Sequence, residues 1–153
     1  MSLSPCPTLA LAGTGNVVFD TANLSNQRFV LFFYPKDSTP GCTTETSDFR
    51  DLYPQFLAAN CAIFGLSRDS LKSHENFKTK LALPFELISD PDEIACEAFG
   101  VMKLKNMYGK QVRGIERSTF VIQNGIIIQE WRGVKVPNHA AQVLAFVQSL
   151  PTT

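Results

Sequence analysis

The most informative segment of this 153-residue sequence runs RFVLFFY at residues 28–34 and PKDSTPGC at residues 35–42. Its first part is apolar without alternation, which is typical of a strand covered on both faces, as in a parallel sheet. Thr39 is a suitable N-cap, and Pro40 suits the first position of a helix. The segment therefore predicts a buried strand, a short loop and a helix that begins near residue 40, with Cys42 in its first turn.

The rest of the chain predicts further elements on both sides of this segment. Asn124-Gly125 between two apolar runs is a strong hairpin signal, whereas the polar stretch from Lys103 to Glu116 predicts a loop. Pro54 should kink or end the helix that contains Cys42. The remaining predicted elements are a small hairpin around residues 13–16, a strand at 61–67, a helix at 70–81, a strand at 85–88, a helix from Ser89 to Phe99 and a last helix capped by Asn138.

The order of these elements predicts an α/β fold with a mixed central sheet flanked by helices, the thioredoxin-like arrangement. Two strand–helix–strand crossovers are followed by a hairpin and a closing helix, and such crossovers produce parallel neighbours in one sheet. The length and the hydrophobic content of 44% fit a single domain over residues 1–153.

Charge and composition exclude several classes of function. Fourteen basic residues balance fourteen acidic ones, so the chain has no electrostatic reason to bind nucleic acid or an anionic membrane. The longest unbroken apolar run, residues 29–34, is far too short for a membrane span. The first basic residue is Arg28, so no charged region precedes Ala10-Leu11-Ala12, and we expect a cytoplasmic protein without a cleaved leader.

The four cysteines are Cys6, Cys42, Cys61 and Cys96. In a cytoplasmic protein we expect thiols rather than a disulfide framework. None of them forms a Cys-x-x-Cys pair, and with only His74 and His139 beside them no zinc-ligand spacing appears, so we expect no metal site. We place His74 on a solvated helix face and Asp37 on the rim of a loop, and assign neither histidine a catalytic role.

Cys42 is the residue at which the pattern indicates chemistry. A cysteine beyond the C-terminal end of a strand lies where open α/β sheets place their sites. Unpaired N–H groups and the helix dipole favour a thiolate there. A helix end stabilises an anion by up to about 1 kcal/mol. A nearby cation should supply much of the further stabilisation that the Cys42 thiolate needs. Gly41 fills a core poorly, but it lets a substrate approach the backbone and its N–H is free to donate.

The spacing Pro35-x-x-x-Thr39-x-x-Cys42 resembles the peroxiredoxin signature Pro-x-x-x-Thr/Ser-x-x-Cys. The wider text resembles the PrxQ or bacterioferritin comigratory protein (BCP) subfamily over most of residues 28–150. The similar segments are FYPKD, PGCTTE, FRDLYPQF, LPFELISD, GIERSTFVIQNG and VPNHAAQVLAFV. The resemblance implies a thioredoxin-like thiol peroxidase that reduces hydrogen peroxide and alkyl hydroperoxides through a Cys42 sulfenic acid, with no metal, flavin or haem cofactor.

The resemblance also implies roles for individual residues. Cys42 would be the peroxidatic nucleophile, Thr39 the hydroxyl that aligns the peroxide, and Pro35 a shield for the pocket. Arg117 matches the family's distal arginine and would be the cation expected beside the sulfur. Glu45, one turn after the nucleophile, resembles the acidic partner that orients this arginine.

A resolving cysteine is missing from the positions where PrxQ proteins often carry one, which are Ser47 and Lys78 here. We therefore expect a one-cysteine mechanism, in which glutathione or a thioredoxin- or glutaredoxin-type partner attacks the sulfenic acid. Cys96 is the leading internal alternative, and Cys6 lies in a tail that could reach. Cys61 should lie about six residue rises, roughly 20 Å, from the nucleophile, beyond the reach of a disulfide.

Two other functions remain open on the sequence alone. A lone cysteine at a helix start also suits thiol-exchange proteins such as monothiol glutaredoxins, but those carry a small hydroxyl residue where this chain has Glu45. Thioredoxin-like exchange enzymes place a cis-proline where this chain has Arg117-Ser118, so the peroxidase is favoured. A redox-sensing module without turnover is the third hypothesis. We expect a monomer or a weak homodimer.

Overall fold

The computed structural model describes residues 3–151 and builds them around a mixed six-stranded sheet. In chain order the strands are β1 (Ser4–Pro5), β2 (Ala10–Ala12), β3 (Val18–Asp20), β4 (Arg28–Phe33), β5 (Ala62–Ser67), β6 (Glu86–Ser89), β7 (Met102–Met107), β8 (Lys110–Ile115), β9 (Ser118–Gln123) and β10 (Ile126–Arg132). The helices are α1 (Pro40–Ala58), α2 (Leu71–Leu81), α3 (Ile94–Ala98) and α4 (His139–Gln148).

The central sheet has the strand order β1-β10-β9-β4-β5-β6. Strands β4, β5 and β6 are parallel, and β9 joins β4 in antiparallel register with Ser118 opposite Phe33. All six residues of β4 are buried, as the unbroken apolar run predicts for a strand covered on both faces. The mixed sheet flanked by helices is the predicted arrangement.

The two faces of the sheet carry two separate core clusters. Because side chains alternate along a strand, Val30 and Phe32 of β4 pack with α1, α2 and α4. Phe29 and Leu31 point to the other face, where α3 and the β2–β3 hairpin cover them. Every core residue therefore belongs to a definite side of the sheet.

The prediction of a loop over residues 103–116 is wrong, because β7 and β8 form an antiparallel hairpin there. The register runs from Met102 opposite Ile115 to Met107 opposite Lys110. Tyr108 and Gly109 make the turn with positive φ angles of 54° and 78°. The ribbon is solvated along most of its length, so its strands are mostly polar and show only a short apolar/polar alternation, at residues 102–105.

Two further predictions concern the turn at Asn124-Gly125 and the effect of Pro54 on its helix. The β9–β10 hairpin turns at Asn124 and Gly125, both with positive φ, as this dipeptide predicts. Pro54 does not end its helix, since α1 continues through it to Ala58. Of the helices within residues 3–151, none combines the length and the apolar character that a membrane span requires.

Candidate active site

Cys42 lies in the first turn of α1, beyond the C-terminal end of β4. Its side chain is buried, with 1% of its surface exposed. The Thr43 N–H donates to the Thr39 carbonyl oxygen at 2.8 Å and closes the first turn. The N–H groups of Gly41 and Cys42 therefore have no acceptor within the helix. Two backbone donors thus remain in the helix turn that carries the sulfur, as the sequence predicts.

Thr39 occupies the N-cap position of α1, but its side chain makes no capping hydrogen bond. The hydroxyl instead donates to the Lys36 carbonyl oxygen at 2.8 Å. Thr39 is therefore the N-cap residue, as predicted, but its hydroxyl does not accept a hydrogen bond from the helix as a capping side chain would. Since its one proton is committed to Lys36, the lone pairs of the Thr39 oxygen are left to accept a hydrogen bond. Pro35, at the start of the same loop, is half-buried.

Arg117, between β8 and β9, contacts the sulfur of Cys42. Its Nη2 atom lies 3.5 Å from Cys42 Sγ, and its Nη1 atom donates to Glu45 Oε1 at 2.6 Å. The Glu45 side chain is 1% exposed and that of Arg117 16%. The structure thus brings together the sulfur, the cation and the acid, although 75 residues separate Arg117 from Cys42.

Gly41 makes room for the guanidinium. A Cβ atom at this position would lie 3.2 Å from Arg117 Nη2, a tighter approach than side chains normally allow. The sequence indicates that Gly41 lets a substrate approach the backbone, and the structure shows a close approach by Arg117. A larger residue at position 41 would push the cation away from the sulfur.

Glu45 is an unusual carboxyl group because of its burial. Burial raises the pKa of Glu45 to about 7, although the Arg117 guanidinium opposes the rise. Its Oε1 atom accepts from Arg117, whereas its Oε2 atom is buried without a hydrogen-bond partner among the described residues. The charge of Glu45, and with it the strength of the ion pair, therefore depends on pH near neutrality.

His139 lies behind Arg117 at the start of α4. It is 3% exposed, its Nε2 atom is 2.8 Å from Thr119 Oγ1, and its ring packs edge-on against Phe49 and Trp131. Burial and the nearby Arg117 charge lower the pKa of His139 to about 4. The histidine is therefore neutral at physiological pH and packs as part of the core.

These two groups predict opposite effects of pH on the free energy of unfolding. His139 binds a proton more readily in the unfolded chain, so it stabilises the fold above pH 6.5 and loses this effect as the pH falls towards 4. Glu45 binds its proton more readily in the fold, so it destabilises the fold as the pH rises from 4.5 through 7. Each contribution is of the order of 3 kcal/mol.

Single substitutions should separate the two contributions in urea unfolding between pH 4.5 and 7. Relative to the wild type, Glu45→Gln should gain stability as the pH rises, because the cost of ionising Glu45 is gone. His139→Gln should lose stability relative to the wild type over the same range. Equal slopes for both variants would contradict the raised pKa of Glu45 and the lowered pKa of His139.

Tyr34, Asp37 and His74 form a buried network that the sequence does not reveal. His74 is fully buried rather than solvated, and Asp37 is buried rather than on a rim, so both predictions are wrong. Ligand-type atoms of Asp37, Asp69 and His74 lie within 4.8 Å of one another, but those of Asp37 and His74 are hydrogen-bonded within the protein. The sequence carries one sign that His74 is buried, because His74, Phe77 and Leu81 follow the spacing of a buried helix face.

The sheet separates Cys42 from Cys96. Cys42 belongs to the core cluster under α1, whereas Cys96 on α3 is fully buried in the cluster on the opposite face. Burial, together with the hydrogen bond and the negative charge of Asp90, raises the pKa of the Cys96 thiol. This placement argues against Cys96 as a resolving cysteine in the folded protein.

The other two cysteines lie at the far end of the sheet from Cys42. Cys61 precedes Ala62, which pairs with Phe29 near the start of β4, and burial raises the pKa of its thiol to about 12. The Cys6 N–H donates to the carbonyl oxygen of Gly125 in the β9–β10 turn. Burial raises the pKa of Cys6 to about 11. Cys6 is thus held in place at this end of the sheet, so it does not have the reach that we expected of it as part of a tail.

Comparisons with known proteins place this arrangement in context. The model of the AhpC/TSA family matches residues 4–130. The chain is 58% identical over 121 residues to Peroxiredoxin Bcp of Xanthomonas campestris pv. campestris, covering 78% of this chain and 76% of that protein. It is 45% identical over 145 residues to Peroxiredoxin Bcp of Bacillus subtilis, covering 94% and 92%.

A solved structure shares the fold of this chain. It is that of the Xanthomonas campestris bacterioferritin comigratory protein, from work on the alkyl peroxide reduction activity of that protein and a trapped intermediate/ligand complex. The TM-score is 0.88 at 51% identity, with 92% of this chain and 90% of that chain covered. The thioredoxin-like fold predicted from the sequence is confirmed by this match.

Proposed function

The chain belongs to the AhpC/TSA family, and within it to the PrxQ or BCP peroxiredoxins, which are thiol peroxidases, and from this premise we propose that it reduces hydrogen peroxide and alkyl hydroperoxides through Cys42. The observation that carries the proposal is the 3.5 Å contact between Arg117 Nη2 and Cys42 Sγ. A cation held at that distance favours a thiolate. The alkyl peroxide reduction activity of the Xanthomonas campestris relative supports the inclusion of alkyl hydroperoxides.

The proposed reaction is an in-line displacement on the peroxide. The Cys42 thiolate attacks one peroxide oxygen, so that an S–O bond forms while the O–O bond breaks. The sulfur is oxidised by two electrons to a sulfenic acid, and the leaving oxygen takes up a proton from solvent, which balances the proton lost when the thiol ionised, and departs as water or an alcohol. Arg117 and the N–H groups of Gly41 and Cys42 donate to the oxygens as negative charge moves onto them.

Thr39 is proposed to orient the substrate. Because its own proton is donated to Lys36, its oxygen is placed to accept the O–H of the peroxide. Pro35 borders the same loop, and we propose that it limits access of water to the sulfur. Glu45 fixes the guanidinium of Arg117 in the orientation that the reaction needs.

We propose a one-cysteine cycle with an external thiol as reductant. The placement of the other three cysteines supports this cycle, and the positions where relatives carry a resolving cysteine hold Ser47 and Lys78. Lys78 is paired with Glu86 at 2.6 Å. A first thiol, from glutathione or a thioredoxin- or glutaredoxin-type protein, condenses with the sulfenic acid and releases water. A second thiol then breaks the mixed disulfide and restores the Cys42 thiol.

Rapid mixing with one equivalent of hydrogen peroxide tests the function and the role of Thr39 together. The Cys42 thiol should react at least about 100-fold faster than free cysteine at the same pH. Thr39→Val removes the acceptor and should slow the reaction about tenfold, whereas Thr39→Ser should not. Alkylation by iodoacetamide, which needs a thiolate but no peroxide alignment, should change little in either variant.

Thr44→Val is the matched control. Thr44 lies on the same helix turn, and its hydroxyl donates to the Pro40 carbonyl oxygen at 3.0 Å, away from the sulfur. This variant should react like the wild type. A wild-type rate equal to that of free cysteine would contradict the peroxidase and favour a thiol-exchange or redox-sensing protein.

A further inference from the structure

The loop between β4 and α1 is anchored by one buried carboxylate, that of Asp37. Its Oδ1 atom accepts from the Tyr34 hydroxyl at 2.6 Å. Its Oδ2 atom is 2.8 Å from Ser73 Oγ and 2.7 Å from His74 Nδ1. The backbone N–H of Asp37 donates to Asp69 Oδ2 at 2.9 Å. Four hydrogen bonds thus hold one residue of the loop.

His74 connects this anchor to the rest of the fold. It is fully buried on α2, and its Nε2 atom lies 2.9 Å from the carbonyl oxygen of Ile88 in β6. A carbonyl oxygen only accepts, so Nε2 carries a proton. The imidazole therefore bridges β6 and Asp37, and it fixes the loop relative to the sheet.

The anchored residue lies between two residues that the proposed reaction uses. Asp37 is two positions after Pro35 and two before Thr39. Ser38, between the anchor and Thr39, has a φ of +64°, a sparsely populated conformation that persists where its neighbours are held. The hydrogen bonds of Asp37 therefore determine where the Thr39 hydroxyl lies relative to α1.

We propose that Asp37 and His74 are positioning residues for peroxide reduction. They touch neither the sulfur nor the substrate, and they act by holding the Thr39 hydroxyl in line with the Cys42 sulfur. The inference rests on the proposed function, because it assigns these residues to the same reaction. The alternative is that the network stabilises the fold and has no effect on the reaction of the folded protein.

Two substitutions of His74 separate these alternatives. In His74→Asn the amide nitrogen can take the place of Nδ1 and donate to Asp37, but the bond to Ile88 is lost. In His74→Gln the amide can reach the Ile88 carbonyl oxygen in the place of Nε2, but the bond to Asp37 is lost. Each variant removes one hydrogen bond, but the bond to the buried Asp37 carboxylate is the stronger of the two, so His74→Gln should lose more thermal stability than His74→Asn.

The measurement is the ratio of two second-order rate constants of Cys42, for hydrogen peroxide and for iodoacetamide. His74→Gln should lower this ratio about tenfold, because Thr39 is no longer held while the thiolate is intact. His74→Asn should stay close to the wild type. Leu81→Ala, at the far end of the same helix, is the control for lost stability and should leave the ratio unchanged.

The outcomes distinguish this inference from the proposed function. A wild type that reacts no faster than free cysteine overturns both. If the wild type reacts fast and folded His74→Gln keeps the wild-type ratio, only the positioning role is overturned. This holds whether the two rate constants stay unchanged or fall by the same factor. Should His74→Gln fail to fold, Ser73→Ala removes a different donor to Asp37 from a half-buried position, and an unchanged ratio there is equally decisive against the inference.

Discussion

Serine in place of Cys42 is expected to abolish peroxide reduction, whereas alanine in place of Cys6, Cys61 or Cys96 is expected to leave the rate per folded molecule unchanged. Cys42 is the cysteine that the structure places against a cation, in the first turn of α1, where the N–H groups of Gly41 and Cys42 have no acceptor within the helix. The other three thiols have a pKa raised by burial, and a thiol is a poor nucleophile compared with a thiolate.

The oxidised product distinguishes a one-cysteine from a two-cysteine cycle. After one equivalent of peroxide, non-reducing mass spectrometry should find one added oxygen on Cys42 in the wild type and in Cys96→Ala alike. A disulfide between Cys42 and Cys96 would instead remove two hydrogens and add no oxygen. Finding that disulfide would overturn the one-cysteine proposal and require the fold to open, because the sheet lies between the two sulfurs.

Replacement of Arg117 by methionine should slow the reaction with hydrogen peroxide by about 100- to 1,000-fold. The substitution removes the guanidinium at 3.5 Å from the sulfur and so the charge that stabilises both the thiolate and the leaving oxygen. It also leaves the buried Glu45 carboxyl without its partner, which destabilises the fold. The rate constant should be measured by stopped-flow mixing and corrected for the folded fraction.

Two further variants assign that loss to its cause. Arg117→Met combined with Glu45→Gln removes the unpaired carboxyl, so stability should recover while the slow rate persists. Arg113→Met is the matched arginine control, because Arg113 on β8 pairs with Glu93 and Glu97 rather than with the site. A rate within threefold of the wild type in Arg117→Met would contradict the proposed mechanism.

Those parts of the fold that depend on local pattern were predictable from the sequence. The apolar run of β4 and the turn dipeptide of the β9–β10 hairpin each carry their structural signal within a few residues. The β7–β8 ribbon carries a much weaker signal, a short alternation at residues 102–105, because it is mostly solvated and its strands do not need an apolar face. Strands that pack against the core need an apolar face and so carry a clear pattern in the sequence, whereas solvated strands do not.

The candidate site was predictable only in part. Cys42 and Thr39 stand out because strand, loop and helix start are contiguous in the chain. Only the resemblance predicted that Arg117 belongs to the site. Its approach to Cys42 depends on the strand register that places Ser118 opposite Phe33, which the residue pattern does not reveal. The pairing of Asp37 with His74 likewise depends on how α2 packs, and a spacing argument alone could place His74 inward but could not name its partner.

If the proposed one-cysteine cycle holds, the placement of the four cysteines in different parts of the fold affects how the protein responds to abundant peroxide. A sulfenic acid that no neighbouring thiol can trap survives until a reductant arrives from solution. During that wait a second peroxide molecule can carry the same sulfur on to the sulfinic acid, from which ordinary thiols do not recover it. In the proposed one-cysteine cycle, the number of turnovers per molecule is therefore limited by a competition between reductant and oxidant, and when the reductant is scarce we expect the peroxide to inactivate the protein.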